Sequence, residues 1–415
     1  MSEEIALLEP GERFTSFYFY HTFLKRVAAF YRQSNYEGRL IEFSLVLDEG
    51  SETIGQKYLI EPVTLPLIVS LFEQLYTYHE KTLNLILSNN HATRRVLSFL
   101  NQADFFHVVG DNYNPTFPIG KKLLRFDQRY LGDLGSHIQK PDHKIRDYSL
   151  TNELLSKIQD LVPERQRDYL IEFFNYKVRE NFADLLRLSN VPFEMESEFV
   201  NILSELITNG VLHSQSNTYA LMFCNSHKTS FSISDNGIGL SKSLMGKKSY
   251  PDYYKHFELT SRLSHSTISI ESEQLRSSLL AIFETLYYSL LKDRRGLFDL
   301  MVNVVTDCRG SFRLHNETAQ IIISEKMRGE LNELQIIREE IMNLHVLYSF
   351  SQINTSEYSE KMTVVAREAF SLFEGIAIKL FDRYRHDTRY SAIRLFDVKF
   401  RGVHIEVEIP NYPNL

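Results

Sequence analysis

Glu205, Asn209 and His213 recur every four residues, and one hairpin further on comes Asp235-Asn-Gly-Ile-Gly239. Residues four apart on a helix are surface neighbours, so the first three form one polar stripe. A carboxylate closing a strand accepts a hydrogen bond from an exocyclic amine such as that of adenine. Gly237 and Gly239 let the following turn approach a flat base closely. Asn209 offers the neutral oxygen that suits Mg²⁺, an ion that keeps several waters and takes its other ligands from phosphates and a few protein groups. Glu205, one turn earlier, is spaced to orient or deprotonate a water attacking a γ-phosphoryl group. The chemistry expected is Mg-ATP binding, with hydrolysis or phosphoryl transfer to follow. The plainer alternative makes Asp235-Asn-Gly a tight turn, Glu205 a solvated helix residue and His213 a cap or packing residue.

The positioning elements can be read around these residues. Phe199, Val200, Leu203, Leu206, Ile207 and Val211 fall opposite the polar stripe, as in a helix packed on a sheet. Residues 218–224 and 229–235 read as two strands joined by a polar turn. In the second, Phe231 and Ile233 alternate with Ser230, Ser232 and Ser234, the pattern of a sheet with one buried face.

Glu205-x-x-x-Asn209-x-x-x-His213 resembles the N box, and Asp235-x-Gly-x-Gly239 the first glycine box, of the Bergerat-fold (GHKL) ATPases, which include gyrase, heat-shock chaperones, histidine kinases and mismatch-repair proteins. The Glu-first form with Thr-Asn and His resembles the anti-sigma serine kinases and ATP hydrolases more than histidine kinases. The resemblance implies Glu205 as general base, Asn209 as magnesium ligand and Asp235 as adenine contact, with ATP and Mg as cofactors. Autophosphorylation on histidine is not expected, because none of His107, His137 and His143, the histidines between Phe106 and His213, sits in a phosphoacceptor pattern.

A family member has a lid and a second glycine box after the first. Here residues 241–294 make a long, partly helical lid, and Arg294-Arg295-Gly296-Leu-Phe-Asp299 resembles the second box with one glycine kept. Gly296 at a helix start would present backbone amides to phosphate, and Arg294 or Arg295 would add charge. The alternative is an ordinary solvated arginine pair. Residues 311–315 and 319–324 read as a hairpin around Asn316-Glu317. The alternating run 400–410 resembles the closing strand of the ATPase sheet, with Val403 where the family has Thr, so the adenine pocket loses a hydroxyl. A separate C-terminal domain is the other reading of that end.

Length and charge bound the rest. The 415 residues carry 46 Lys and Arg against 53 Asp and Glu, a net charge of −7 that does not suggest a nucleic-acid surface. Two cysteines cannot make a metal site and point to a reducing, cytoplasmic setting, and no apolar run approaches membrane-spanning length. Upstream, runs at 40–47, 57–60, 83–88 and 105–109 read as strands and 65–78 and 92–102 as helices, an α/β domain. The segments from Tyr58 and from Val96 resemble STAS-like domains. The partner-switching members carry a phosphorylated serine where this chain has Glu61-Pro-Val-Thr64; Thr64 is either a phosphoacceptor or a helix N-cap.

The expected architecture is α/β. A STAS-like domain (1–126) precedes a helical connector (127–190) and a Bergerat-type α/β sandwich core (191–324, lid 241–294). A helical insertion (325–399) and the closing strand (400–415) complete it. The site is Glu205, Asn209, His213, Asp235, Gly237, Gly239, Arg295 and Gly296. The expected function is slow Mg-dependent ATP hydrolysis whose lid movement controls a protein partner in signalling or defence. A partner-switching serine/threonine kinase and a non-hydrolysing nucleotide-binding module stay open, as does a homodimer through the long helices after residue 325.

Overall fold

Two sheets of opposite character organise the chain. The computed structural model describes residues 4–9, 11–33, 39–47, 59–88, 90–110, 123–132, 134, 143–189, 191–214, 217–247, 249–266, 270, 272–383 and 391–411. Parts of the expected 57–60 strand (57, 58), lid (248, 267–269, 271) and closing segment (412–415) lie outside them. The first sheet is parallel, in the order β1 (Glu4–Ala6), β2 (Glu42–Leu45), β3 (Leu83–Leu87), β4 (Leu124–Arg125). Parallel neighbours need crossovers, supplied here by helices such as Leu65–His79 and His91–Gln102.

The second sheet is antiparallel: β5 (Arg146–Tyr148), β6 (Thr218–Cys224), β7 (Lys228–Asp235), β9 (Ile393–Pro410) and β8 (Ser311–Ser324), in that spatial order. Helices Pro163–Arg187, Glu196–Ser214, Glu273–Leu290 and Leu297–Thr306 cover one face, where Met222, Phe231, Ile233, Ile405 and Val407 are buried. The parallel-sheet domain covers the other. Tyr219, Leu221, Phe223, Phe396 and Phe400 pack into its core, and helix Leu65–His79 runs against β6 and β7. That double contact explains why this helix buries residues 65 to 73 without a polar stripe.

Several expectations change. The alternating strands were expected to leave one face solvated, yet Ser230, Ser232, Ser234, His404 and Glu406 are all buried under the N-terminal domain. Alternation marks a face but does not say what covers it. Residues 105–109 form a short helix, not a strand, and Ile60 makes only an isolated bridge to Phe14. The expected hairpin at 311–324 is one strand with a bulge: both halves pair with β9, and Glu317 absorbs the register shift at φ 56°. The connector contains an edge strand, β5, and the last strand begins at Ile393, inside the expected insertion. Between β8 and β9, helices Arg328–Ser349 and Thr355–Asp382 form a hairpin. Thr64 is fully buried and donates to Glu61 O at 2.7 Å, so it neither caps the helix through its side chain nor faces a phosphorylating enzyme. Among the described residues no helix is long and apolar enough to cross a membrane, and both cysteines are free thiols.

Candidate functional site

Helix Glu196–Ser214 buries Phe199, Val200, Leu203, Ile207 and Val211 against the sheet, which turns the opposite stripe into a cleft. Glu205, Asn209, His213, Asp235, Gly237, Gly239 and Gly296 all line this one cleft, of about 950 Å³ including its open mouth. Leu206, Ile233, Leu244, Leu297, Val403 and Ile405 give it apolar walls.

Asp235 ends β7 with its carboxylate buried. Its Oδ1 accepts from Gly237 N at 2.7 Å and, at a long 3.4 Å, from Val403 N. Burial outweighs these bonds and pushes the carboxyl up to about 6. Val403, which has no side-chain hydroxyl, thus contributes its amide. That approach depends on Gly402, at φ 93°, where a Cβ would stand 1.9 Å from Asp235 O. Gly239, at φ 79°, starts helix Gly239–Met245, and Leu240 N donates to Asn316 Oδ1 at 3.0 Å. The β8 bulge that resembled a turn therefore holds the glycine turn in place.

The opposite end of the cleft is basic. Arg167, from helix Pro163–Arg187, donates to the carboxylate of Glu205 and, at 2.9 Å, to Asn209 Oδ1. Lys247, Lys292 and Arg294 line the same end. Burial, then repulsion from Arg167 and Lys247, brings the Lys292 ammonium down to about 7. Desolvation and the nearby cations, Lys247 first, lower His213 to about 4, so its ring is neutral at pH 7. Arg167 and Lys247 escape sequence reasoning because segments distant in sequence bring them together, while Lys292, in the short basic run 292–295 that reads as a solvated face, lines the cleft instead. The alternation within Lys292-Asp-Arg294 was the available signal.

Two expected residues take other roles. Arg295 points away from the cleft and pairs with Glu198 and Glu339, each at 3.0 Å, a structural bridge rather than a phosphate contact. Gly296 does line the cleft, but its amide donates to Asp299 Oδ2 at 2.8 Å, and Phe298 N donates to Ser289 Oγ, so these amides are committed within the fold. The loop is fixed by Arg338 of the helical hairpin, a fully buried guanidinium. It pairs with Asp299 at 2.9 Å and donates to the carbonyls of Leu290, Lys292 and Arg294. The insertion thereby sets where Lys292 and Arg294 stand.

The donor set suits a nucleotide with magnesium: a carboxylate beside a glycine turn, apolar walls, and cations in excess of Glu205. Among the described residues there is no cluster of three or more His, Cys, Asp or Glu able to hold a metal by protein ligands alone. A Mg²⁺ bound through Asn209 would therefore need phosphate oxygens. Comparison with protein-family models, curated proteins and solved structures finds no match.

Proposed function

We propose that the cleft binds Mg-ATP in the manner of the Bergerat-fold ATPases, hydrolyses it slowly, and uses occupancy to change contacts with a protein partner. The observation that carries this reading is the convergence of Glu205, Asn209 and Asp235, from a helix and a strand end, on one cavity with a glycine turn at one end and cations at the other. Asp235, ionised above about pH 6, accepts the adenine amine. Lys247, Lys292 and Arg294 face the polyphosphate, and Asn209 joins the magnesium shell once Arg167 releases its oxygen. Glu205 orients the attacking water. The N-terminal parallel sheet enters this reading as a STAS-like layer that meets the partner.

The Arg167 contact to both Glu205 and Asn209 favours a second reading, a nucleotide-binding module without turnover. Calorimetry with a non-hydrolysable ATP analogue, with and without Mg²⁺, tests the first step. We expect binding that strengthens with Mg²⁺ and loses that dependence in Asn209→Ala; equal heats with and without the metal reject the role of Asn209. Phosphate release then separates the readings. Glu205→Ala should bind but not turn over, whereas a wild-type chain that binds without releasing phosphate, even with its partner, is the module.

A further inference from the structure

The turn that carries the nucleotide motif is held from behind by the other domain. Asp235 and Gly237 face the cleft, so Asn236 between them faces the opposite side of the sheet, where it is buried. Both ends of its side-chain amide are used: Nδ2 donates to Glu73 Oε2 at 2.7 Å, and Oδ1 accepts from Gln74 Nε2 at 2.8 Å. Glu73 and Gln74 are consecutive residues of helix Leu65–His79 in the N-terminal domain. The Gln74 amide also donates to Arg401 O at 3.1 Å, and Arg401 Nε donates to Gly237 O at 3.4 Å. The helix thus grips the turn at Asn236 and, through Arg401, at Gly237. An interface built for stability alone is served as well by apolar side chains. Glu73 is only 1% exposed, and burying it against Asn236 fixes one geometry of the residue flanked by the two ligand contacts.

We propose that helix Leu65–His79 and the nucleotide cleft are thermodynamically coupled through the Glu73–Asn236–Gln74 clasp, so that nucleotide at Asp235 and Gly237 tightens the docking of the N-terminal domain. This inference rests on the nucleotide reading above and specifies its regulation. The coupling is reciprocal: whatever loosens the helix, including a partner protein that binds the N-terminal domain, weakens nucleotide binding by the same factor. For the clasp alone we expect about tenfold, within the range usual for coupled sites.

Hydrogen exchange of the full chain, with and without the ATP analogue and Mg²⁺, is the test, combined with calorimetry on the same samples. Wild type should gain protection along Leu65–His79 on binding, although no residue of that helix touches the cleft. Asn236→Ala should bind about tenfold more weakly and show no gain in that helix. Gln74→Ala, which removes the two bonds from the Gln74 amide but leaves the Glu73–Asn236 bond, should give a smaller version of the same change. A wild type that binds without altering exchange in the helix overturns the coupling while leaving the nucleotide reading standing. The coupling is overturned in the same way if Gln74→Ala shows the full wild-type gain at wild-type affinity. A wild type that binds no nucleotide overturns the reading itself, and the coupling with it.

Discussion

The two faces of the antiparallel sheet both bury polar side chains, and they treat them differently. On the helix-covered face, Asp235, Glu205 and Lys292 look into a cleft in which cations outnumber carboxylates and Asp235 keeps one oxygen clear of the backbone bonds. On the face covered by the N-terminal domain, β7, β9 and β8 set Ser232 beside Glu406 beside Arg313, and Ser234 beside His404 beside His315. There Arg313 pairs with Glu406, Tyr20 stacks on His315 at 3.8 Å, and Glu406, His315 and His404 are buried. Among the described residues the ring nitrogens of His315 and His404 have no hydrogen-bond partner. Polar groups with strained electrostatics in an open cleft are accessible to a ligand, whereas the same chemistry on the other face is buried where two domains join.

Acid should separate the two faces most widely. Burial, then Arg313, lowers His404 to about 3, and burial, then His404, holds His315 well below its ordinary value. Below pH ~6.5 the unfolded chain takes up protons that the folded chain refuses, so stability falls from there down to the folded pKa near 3. One such imidazole is worth about 4–5 kcal/mol over that window. On the cleft face two contributions nearly cancel: His213, lowered to about 4, loses stability in acid as His404 does, and Asp235, raised to about 6, has the opposite sign because between its unfolded value and about 6 the folded chain binds the extra proton. Urea midpoints measured from pH 7 to 4 should show a steep net loss, with a slope reduced by about one proton in His404→Gln. An unchanged slope would remove His404 from the account.

Breaking the buried face directly comes next. Arg313→Ala leaves the buried Glu406 without its cation and should cost about 3–5 kcal/mol in chemical denaturation. A loss under ~1 kcal/mol would mean that Lys228 and the neighbouring strands compensate. On the cleft face the expected loss is in ligand affinity. Lys292→Ala removes a cation from the basic end, proposed to face phosphate, and a hydrogen bond to a charged group is worth about 1.5–3 kcal/mol, or roughly 10- to 150-fold in the dissociation constant of the ATP analogue. Equal affinity would detach the basic end from the ligand.

The smallest effect has the opposite sign. Asp235→Asn keeps an oxygen for Gly237 N and Val403 N and removes a buried charge that costs about 3 kcal/mol at pH 7, but it buries an amide NH2 in exchange, so the free chain should gain about 1–2 kcal/mol. A melting temperature that falls instead would show that the carboxylate is satisfied in the free chain and is not held in reserve for a ligand.

How far the sequence reaches follows the same division. The stripe of Glu205, Asn209 and His213 and the strand-end Asp235 were legible because helical spacing and a glycine turn are local patterns. Arg167, Lys247 and Arg338 were not, since packing between segments distant in sequence delivers them to the cleft and its loop. Asn316-Glu317 has the composition of a turn, and a bulge in a continuous strand uses the same residues. Arg295 and Arg294 are neighbours in sequence, and only the path of the loop held by Arg338 sends one outward and the other inward. The serine and histidine face announced a strand, but its burial depends on a second domain whose docking leaves no periodic trace.

In the proposed function, Asp235 reads an exocyclic amine at the end of the cleft that carries the glycine turn. Competition between non-hydrolysable ATP and GTP analogues tests it most directly, because guanine presents a carbonyl oxygen where adenine presents an amine. We predict that wild type prefers the adenine analogue by at least about tenfold, as expected for one hydrogen bond to a charged group, and that Asp235→Asn loses most of this preference. Equal affinity of the wild-type chain for both, or a preference that survives Asp235→Asn, would contradict the account.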